Sequence, residues 1–239
     1  MVMRIVEKFK RLGGKLFLNK PVKEVITENN VAKGIVLENG ESVSADYVVA
    51  SGDIHHTLYG LLGGKYRDKD FERQFRDKAA NPVRSSVMLA YRTTHNMTDY
   101  PRMMDFLCEP FDWHGQHHDH YAIRNFTFDK SLPSKDGETL LTVLLPTNED
   151  VYNYLKGLPR EEYLKEKQAF ADKFTKMMLK DLNLKEDELE LIDVTSPLTY
   201  ERYTNAYQGA YMSFVTTKET KGLMRPGLIK GLKNFVVGG

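Results

Sequence analysis

The chain has 239 residues, 41% of them hydrophobic and 28% charged, with a formal net charge of +1. That balance is ordinary for a soluble globular protein, and the net charge predicts no strong electrostatic pull toward nucleic acid or acidic membranes. The single cysteine, Cys108, excludes a disulfide framework and a thiolate metal cluster and predicts a reducing, cytoplasmic setting.

Val2, Ile5, Val6, Phe9 and Leu12 recur at helical spacing, and Gly13-Gly14 closes that helix. The charges within this stripe exclude a signal peptide, and no apolar run in the chain is long enough to cross a bilayer. Lys15 to Leu18 reads as a short strand. The stretch from Pro21 to Asp53 then organises the N-terminal part. Apolar runs around Val22–Ile26, Val31–Leu37 and Val43 are separated by Asn29-Asn30 and Asn39-Gly40, which predicts a three-stranded meander. Asn-Gly is expected to close a two-residue turn, and Asn29-Asn30 another of the same kind. The apolar strand Tyr47-Val48-Val49-Ala50 ends at Ser51-Gly52-Asp53. Asp53 is the expected N-cap of a helix carrying Ile54, Leu58, Leu61 and Leu62, which Gly63-Gly64 stops. A strand, a small-residue turn and a helix N-terminus in succession are a common anion or nucleotide edge.

Phe71 and Phe75 are four apart and predict a short amphipathic helix broken by Pro82. Ser85 to Tyr91 reads as a strand, Thr93 to Asp119 as mostly loop with strand pieces, and Thr139 to Leu145 as a buried central strand. Thr147 is the expected N-cap of a helix closed by Gly157. The longest helix spans Arg160 to Leu182, with Tyr163, Phe170, Phe174, Met177 and Met178 as its buried stripe. Leu189 to Val194 reads as a strand, and Ser196-Pro197 starts a short helix.

His114, His117, His118 and His120 invite a metal reading, yet adjacent residues of a strand point opposite ways, and an exposed loop is the simpler assignment. Tyr200, Tyr203, Tyr207 and Tyr211 are three or four apart and read either as a helix face packed on the sheet or as the lining of an apolar tunnel. Cys108 has no cationic neighbour in sequence to make it a nucleophile.

Several of these stretches resemble one family. Gly13-Gly14-Lys15 through Pro21-Val22 to Gly34, Asn39-Gly40 and Ala45-Asp46-Tyr47-Val48-Val49 is similar to flavoproteins of the phytoene desaturase type, relatives of amine oxidases and retinol saturases. Asp129-Lys130-Ser131-Leu132-Pro133 to Gly137, Ser196 to Tyr203 with Gly209-Ala210, and Asn234 to Gly239 resemble later segments of the same proteins in the same order. The family's G-x-G-x-x-G turn has no counterpart here: Gly13-Gly14 and Gly63-Gly64 lack the third glycine and the preceding strand. The resemblance implies an internal segment of a longer FAD-dependent oxidoreductase, as do the opening directly into a helix and the closing strand with Gly238-Gly239.

By that resemblance the backbone at Val22 meets the adenine of FAD, and Gly238 and Gly239 approach the ribityl and phosphate region. Tyr203, Tyr207 and Tyr211 would contact a small apolar substrate such as an isoprenoid, and no residue of the segment is assigned as catalytic. The expected fold class is α+β or α/β, with residues 1–63 a partial FAD-binding domain, 64–228 a substrate-binding domain of mixed β-sheet covered by helices, and 229–239 a return strand into the FAD domain. The segment alone is expected to be inactive. No nucleic-acid partner is expected; peripheral membrane contact and self-association through bare sheet edges are compatible with the composition. The alternative, from a different class, is a non-enzymatic module that binds a hydrophobic ligand or a protein.

Overall fold

The structure is a computed structural model that describes residues 2–67, 69–129, 137–211, 214–220 and 227–238. It divides into two compact units, Met1–Lys69 with Met224–Gly239, and Asp70–Leu223.

The first unit carries α1 (Val2–Arg11), β1 (Val22–Glu28), β2 (Val31–Leu37), β3 (Ser42–Ser44), β4 (Val48–Ala50) and, from the far end of the chain, β10 (Phe235–Val237). β1, β2 and β3 form the predicted antiparallel meander. Its two turns differ from expectation in an instructive way. Asn29 and Asn30 take φ of 49° and 61° and make the tight two-residue turn, with Glu28 opposite Val31. Asn39-Gly40 does not. Gly40 N–H donates to the Leu37 carbonyl at 2.9 Å and Leu37 N–H to the Glu41 carbonyl at 2.8 Å, so the loop holds three residues, with Gly40 at φ 85° as its left-handed closing position. Lys15 to Leu18 joins no strand: no ladder is formed, and Phe17 and Leu18 stay exposed. α1 is equally bare, with Val2, Met3, Ile5 and Leu12 all more than 60% exposed.

The second unit is built on a five-stranded sheet in the order β6-β7-β8-β5-β9: β5 (Ser85–Thr93), β6 (Met103–Trp113), β7 (Gln116–Asn125), β8 (Thr139–Thr147) and β9 (Leu189–Thr195). All its pairings are antiparallel; the parallel pairing expected of a mixed sheet lies in the first unit, between β4 and β10. β8 is central, as its apolar run predicts. The region from Thr93 to Asp119 is not mostly loop but the long edge strand β6 and the start of β7. Its periodicity is hidden by a register shift between Leu107 and Phe111, where Pro110 cannot donate to a ladder, and by the outward Leu107. His114 and Gly115, at φ of 47° and 82°, close the β6–β7 hairpin.

The further helices are α2 (Lys69–Arg76), α3 (Glu149–Gly157), α4 (Arg160–Asp181) and α5 (Pro197–Thr204), and in the first unit a short π-helix, His56–Leu61, follows Asp53. The α3 cap is Asn148, not Thr147: Asn148 Oδ1 accepts the Val151 N–H at 3.2 Å. α4 lays Tyr163, Phe170, Phe174 and Met178 on Leu89, Tyr91, Tyr121 and Ile123 to make one continuous core. Buried polar groups are paired across the same contact: Tyr91 with Thr175 Oγ1 at 3.1 Å, Tyr121 with Asp181 Oδ2 at 2.6 Å, Trp113 Nε1 with Glu166 Oε1 at 2.8 Å, and Tyr163 with Ser196 Oγ at 2.7 Å. Burial raises the Tyr91 phenol to about 12, so it stays a neutral hydroxyl.

His118 is the exception. It is 4% exposed, stacks on Phe111 with ring centroids 5.2 Å apart, and its Nε2 has no hydrogen-bond partner among the described residues. Burial first, then the positive neighbours His117, Lys173 and His120, hold it down at about 4. Because the folded form resists protonation, its stability contribution is complete above the unfolded value near 6.5 and is lost as pH falls from there towards 4, on the order of 3 kcal/mol at most.

Two outcomes follow. Phe174→Ala should lower unfolding free energy by about 3–5 kcal/mol, read by urea titration, whereas Leu107→Ala, on an exposed edge, should change it by less than about 0.5 kcal/mol. His118→Phe should remove most of the stability loss between pH 6.5 and 4 that wild type shows in the same titration; equal acid sensitivity of the two proteins would contradict this account of His118.

Candidate functional site

Chemistry-bearing features occur in each unit. In the first, β4 and β10 run parallel, with Phe235 opposite Val48 and Val237 opposite Ala50. Both strands therefore end on the same side, at Ser51 and Gly238, and the carboxyl ends of parallel strands are where open α/β sheets take ligands. Gly238 N–H donates to the Ala50 carbonyl at 2.8 Å. A Cβ placed on Gly238 would meet only Val49 Cγ1, at an ordinary 3.8 Å. Nothing described in the chain's own packing demands glycine there, and the space it leaves suits the close approach of a ligand such as the flavin. Gly239 lies outside the described residues. Val22 begins β1, half-buried and opposite Leu37.

The neighbouring helix N-terminus does not serve as an anion cradle. Asp53 Oδ1 accepts the His56 N–H at 2.9 Å, and the Asp53 carbonyl accepts from Thr57 Oγ1 at 2.8 Å. The turn thus carries its own carboxylate where a phosphate would have to sit, so Asp53 is a cap and the nucleotide-edge expectation does not hold at this helix. The residues present fit the close-approach part of a flavin site and not its pyrophosphate cradle.

In the second unit the sheet has two apolar faces. Val87, Leu89, Tyr91, Leu141, Val143 and Leu145 belong to the core under α4. The alternate residues Met88, Ala90, Ala122, Thr142 and Leu144 stand outside that core and are half-buried. Register places Ala122 and Met88 on either side of Leu144, and Ala90 beside Thr142. An apolar strip of Ala122, Leu144, Met88 and Ala90, with Thr142 beside it, therefore crosses the middle strands on the face away from α4. One end is marked by Ser86 Oγ, 3.1 Å from Tyr200 Oη. The other is marked by Arg92, whose guanidinium Nε lies 3.1 Å from Glu190 and whose Nη1 lies 3.6 Å from Glu138. Strand-borne side chains of this kind orient a ligand without moving; they supply shape and dryness, not acid–base chemistry.

The three tyrosines singled out in the sequence go to three places, because α5 ends at Thr204 with Asn205 left-handed and no helix carries the spacing onward. Tyr211 packs on Tyr200, with ring centroids 5.8 Å apart, and so reaches the Ser86 end of the strip. Tyr207 joins Phe75 and Phe214 at 5.0 and 6.3 Å. Tyr203 is 73% exposed at the rim of a cavity beside α4. The strip residues themselves were missed. The available signal was that β8 is apolar at both parities, Leu140 and Leu144 as well as Leu141, Val143 and Leu145, which marks a strand covered on both faces.

The histidines sit on the β6–β7 hairpin rather than in a loop, and three have their own carboxylate: His114 with Glu166 at 3.0 Å, His117 with Asp112 at 3.1 Å, His120 with Asp119 at 2.6 Å. Among the described residues no three His, Cys, Asp or Glu side chains converge as a metal site. Burial pushes the Cys108 thiol up, away from the thiolate form. No described helix is long and apolar enough to cross a membrane.

Comparison with known proteins shows what the chain is similar to. The family model described as Flavin containing amine oxidoreductase matches residues 1–169. A phytoene desaturase (lycopene-forming) of a Paracoccus strain is 36% identical over 89 residues, 37% of this chain and 17% of that protein. A 4,4'-diapophytoene desaturase (4,4'-diapolycopene-forming) of Methylomonas is 20% identical over 207 residues, 84% of this chain and 40% of that protein. A further match, 24% identical over 208 residues, takes in 83% of this chain but 11% of an amylopullulanase of Thermoanaerobacterium thermosulfurigenes. An oxidoreductase structure from Methanosarcina mazei superposes with a TM-score of 0.55 over 95% of this chain and 45% of that one, at 11% identity, a likeness of fold. The chain thus spans less than half the length of each of these proteins.

Proposed function

This chain belongs to the flavin containing amine oxidoreductase family, and we propose that within it the chain is the substrate-binding region of a FAD-dependent oxidoreductase of the desaturase type. Family and relatives make it part of a flavin oxidoreductase with FAD as cofactor. The observation that carries the finer reading is the second apolar face of the sheet, Met88, Ala90, Ala122 and Leu144, standing outside the core that α4 completes.

On this reading an extended apolar substrate, such as an isoprenoid chain, lies along the strip. A flat strand surface suits a long hydrocarbon, because its contacts are dispersion and desolvation spread along the length. The side chains bind, orient and keep water out. Ser86, Tyr200 and Tyr211 bring hydroxyl groups to one end, and burial raises the Tyr200 phenol so that it does not ionise there. The flavin, when bound, supplies the redox chemistry by accepting hydride equivalents from the substrate. In the first unit Gly238, Gly239 and the Val22 backbone hold part of that cofactor. The pyrophosphate falls to residues outside this chain, since Asp53 occupies the helix N-terminus that the described residues place at the strand ends. The isolated chain is therefore inactive. The exposed stripe of α1 and the unpaired Phe17 and Leu18 await cover from the rest of the protein.

The test uses the full reading frame. Gly238→Ala and Gly238→Val should leave thermal unfolding of the flavin-free protein nearly unchanged, because the added Cβ meets only an ordinary contact. Both should lower flavin content per protein, read from the absorbance of the purified enzyme, with valine the worse. Met88→Asp should keep full flavin content and lose retention of an apolar polyene. Normal flavin in both Gly238 variants would overturn the cofactor assignment, and undiminished polyene binding in Met88→Asp would overturn the substrate face.

A further inference from the structure

A cavity beside β9 has a charge pattern the proposed function does not use. It encloses about 400 Å³ between the end of α3, the first turns of α4, β9 and α5. Leu155, Leu158, Leu164, Val194 and Leu198 make an apolar wall. Lys156, Arg160, Lys167 and Arg202 stand around it. Lys156 is committed to Glu201, 2.5 Å away. The other three have no carboxylate within ion-pair reach among the described residues.

These three cations lie over aromatic rings instead. Arg160 and Lys167 are 5.6 and 5.5 Å from the centre of the Tyr163 ring, and Arg202 is 5.3 Å from that of Tyr203. Tyr163 is buried and its hydroxyl is tied to Ser196 at 2.7 Å, so the ring that Arg160 and Lys167 flank is fixed. The one acid on the lining is Asp193, which accepts from Thr195 Oγ1 at 3.3 Å. A surplus of two positive charges therefore surrounds a cavity with a hydrocarbon wall. The whole chain is balanced, 34 basic residues against 33 acidic, so this local surplus is not its average surface.

We propose that this cavity binds a phosphate monoester carried on an apolar chain. A dianion matches the surplus charge, and two guanidinium groups offer the paired donors that phosphate oxygens accept. A carboxylate would leave one cation uncompensated. An inorganic anion would leave the leucine wall wet. The volume is within the range of small-molecule sites, about 300–1,000 Å³, and holds the head and the first carbons of the chain. Tyr203, exposed at the rim, lies over the apolar part of the chain.

The experiment is calorimetric titration of the 239-residue chain with dodecyl phosphate below its micelle concentration, with dodecanol and inorganic phosphate as the two half-ligands. Dodecyl phosphate should bind at least about tenfold more tightly than either half, and the triple variant Arg160→Gln/Lys167→Gln/Arg202→Gln should weaken it by at least about tenfold. Lys165→Gln/Lys180→Gln/Lys185→Gln, which removes the same charge elsewhere on the unit, should bind as wild type. Leu198→Asn, which makes the wall polar without adding charge, should weaken dodecyl phosphate and leave inorganic phosphate unchanged. A second arm uses phosphatidylcholine vesicles with and without phosphatidate. Phosphatidate-dependent sedimentation that the cavity variant loses supports the same site taking the ester from a bilayer. Equal binding of dodecanol and dodecyl phosphate, equal loss in the two triple variants, or binding of neither dodecyl phosphate nor phosphatidate overturns the proposal.

Discussion

Phe170, Phe174 and Met178 leave water because α4 lies along the strands of a single antiparallel sheet, and most of what the second unit does depends on that contact. The helix is 22 residues long and lays its apolar stripe on Leu89, Tyr91, Tyr121 and Ile123. Burying so much aromatic surface brings phenol and indole groups with it, and each has a partner: Thr175 for Tyr91, Asp181 for Tyr121, Glu166 for Trp113, Ser196 for Tyr163. An unpaired hydroxyl at any of these places would cost about 1–3 kcal/mol. The pairs therefore fix where along the sheet α4 sits as well as that it binds.

That arrangement divides the sheet's work. The face under α4 is closed by packing and supplies rigidity. The other face keeps half-buried apolar residues at alternate positions of β5, β7 and β8 and is the one proposed to hold the substrate. A site carried on paired strands is held by the ladder of its neighbours and needs no induced order. In the first unit, a comparable role falls to the parallel pair β4–β10, which joins residues almost two hundred positions apart, Val48 with Phe235. Gly238, just beyond it, is a glycine that the described packing does not explain.

Much of this was legible in the residues. The meander, the central place of β8, the α4 stripe and the capped starts of the helices at Asp53 and Ser196 follow from periodicity and capping chemistry. The failures have physical causes. Asn39-Gly40 satisfies the two-residue turn rule, yet the strands pair so that Glu38 joins the loop, while Asn29-Asn30 makes the tighter turn. β6 was obscured because a register shift at an edge strand breaks the alternation that identifies strands. The tyrosine spacing suggested a common face, but the left-handed Asn205 ends the helix between Tyr203 and Tyr207. Which face of a two-sided sheet stays outside the core is a matter of tertiary packing, and no periodicity within one strand encodes it.

The measurement that bears most directly on the account is a flavin titration of this chain alongside the same chain extended through its full reading frame, followed by the change in flavin absorbance. The account predicts that the extended protein binds FAD stoichiometrically, while this chain, lacking a glycine-rich pyrophosphate turn and carrying Asp53 at the available helix N-terminus, binds weakly or not at all. Failure of the extended protein to bind FAD would contradict it, and so would stoichiometric binding by this chain alone.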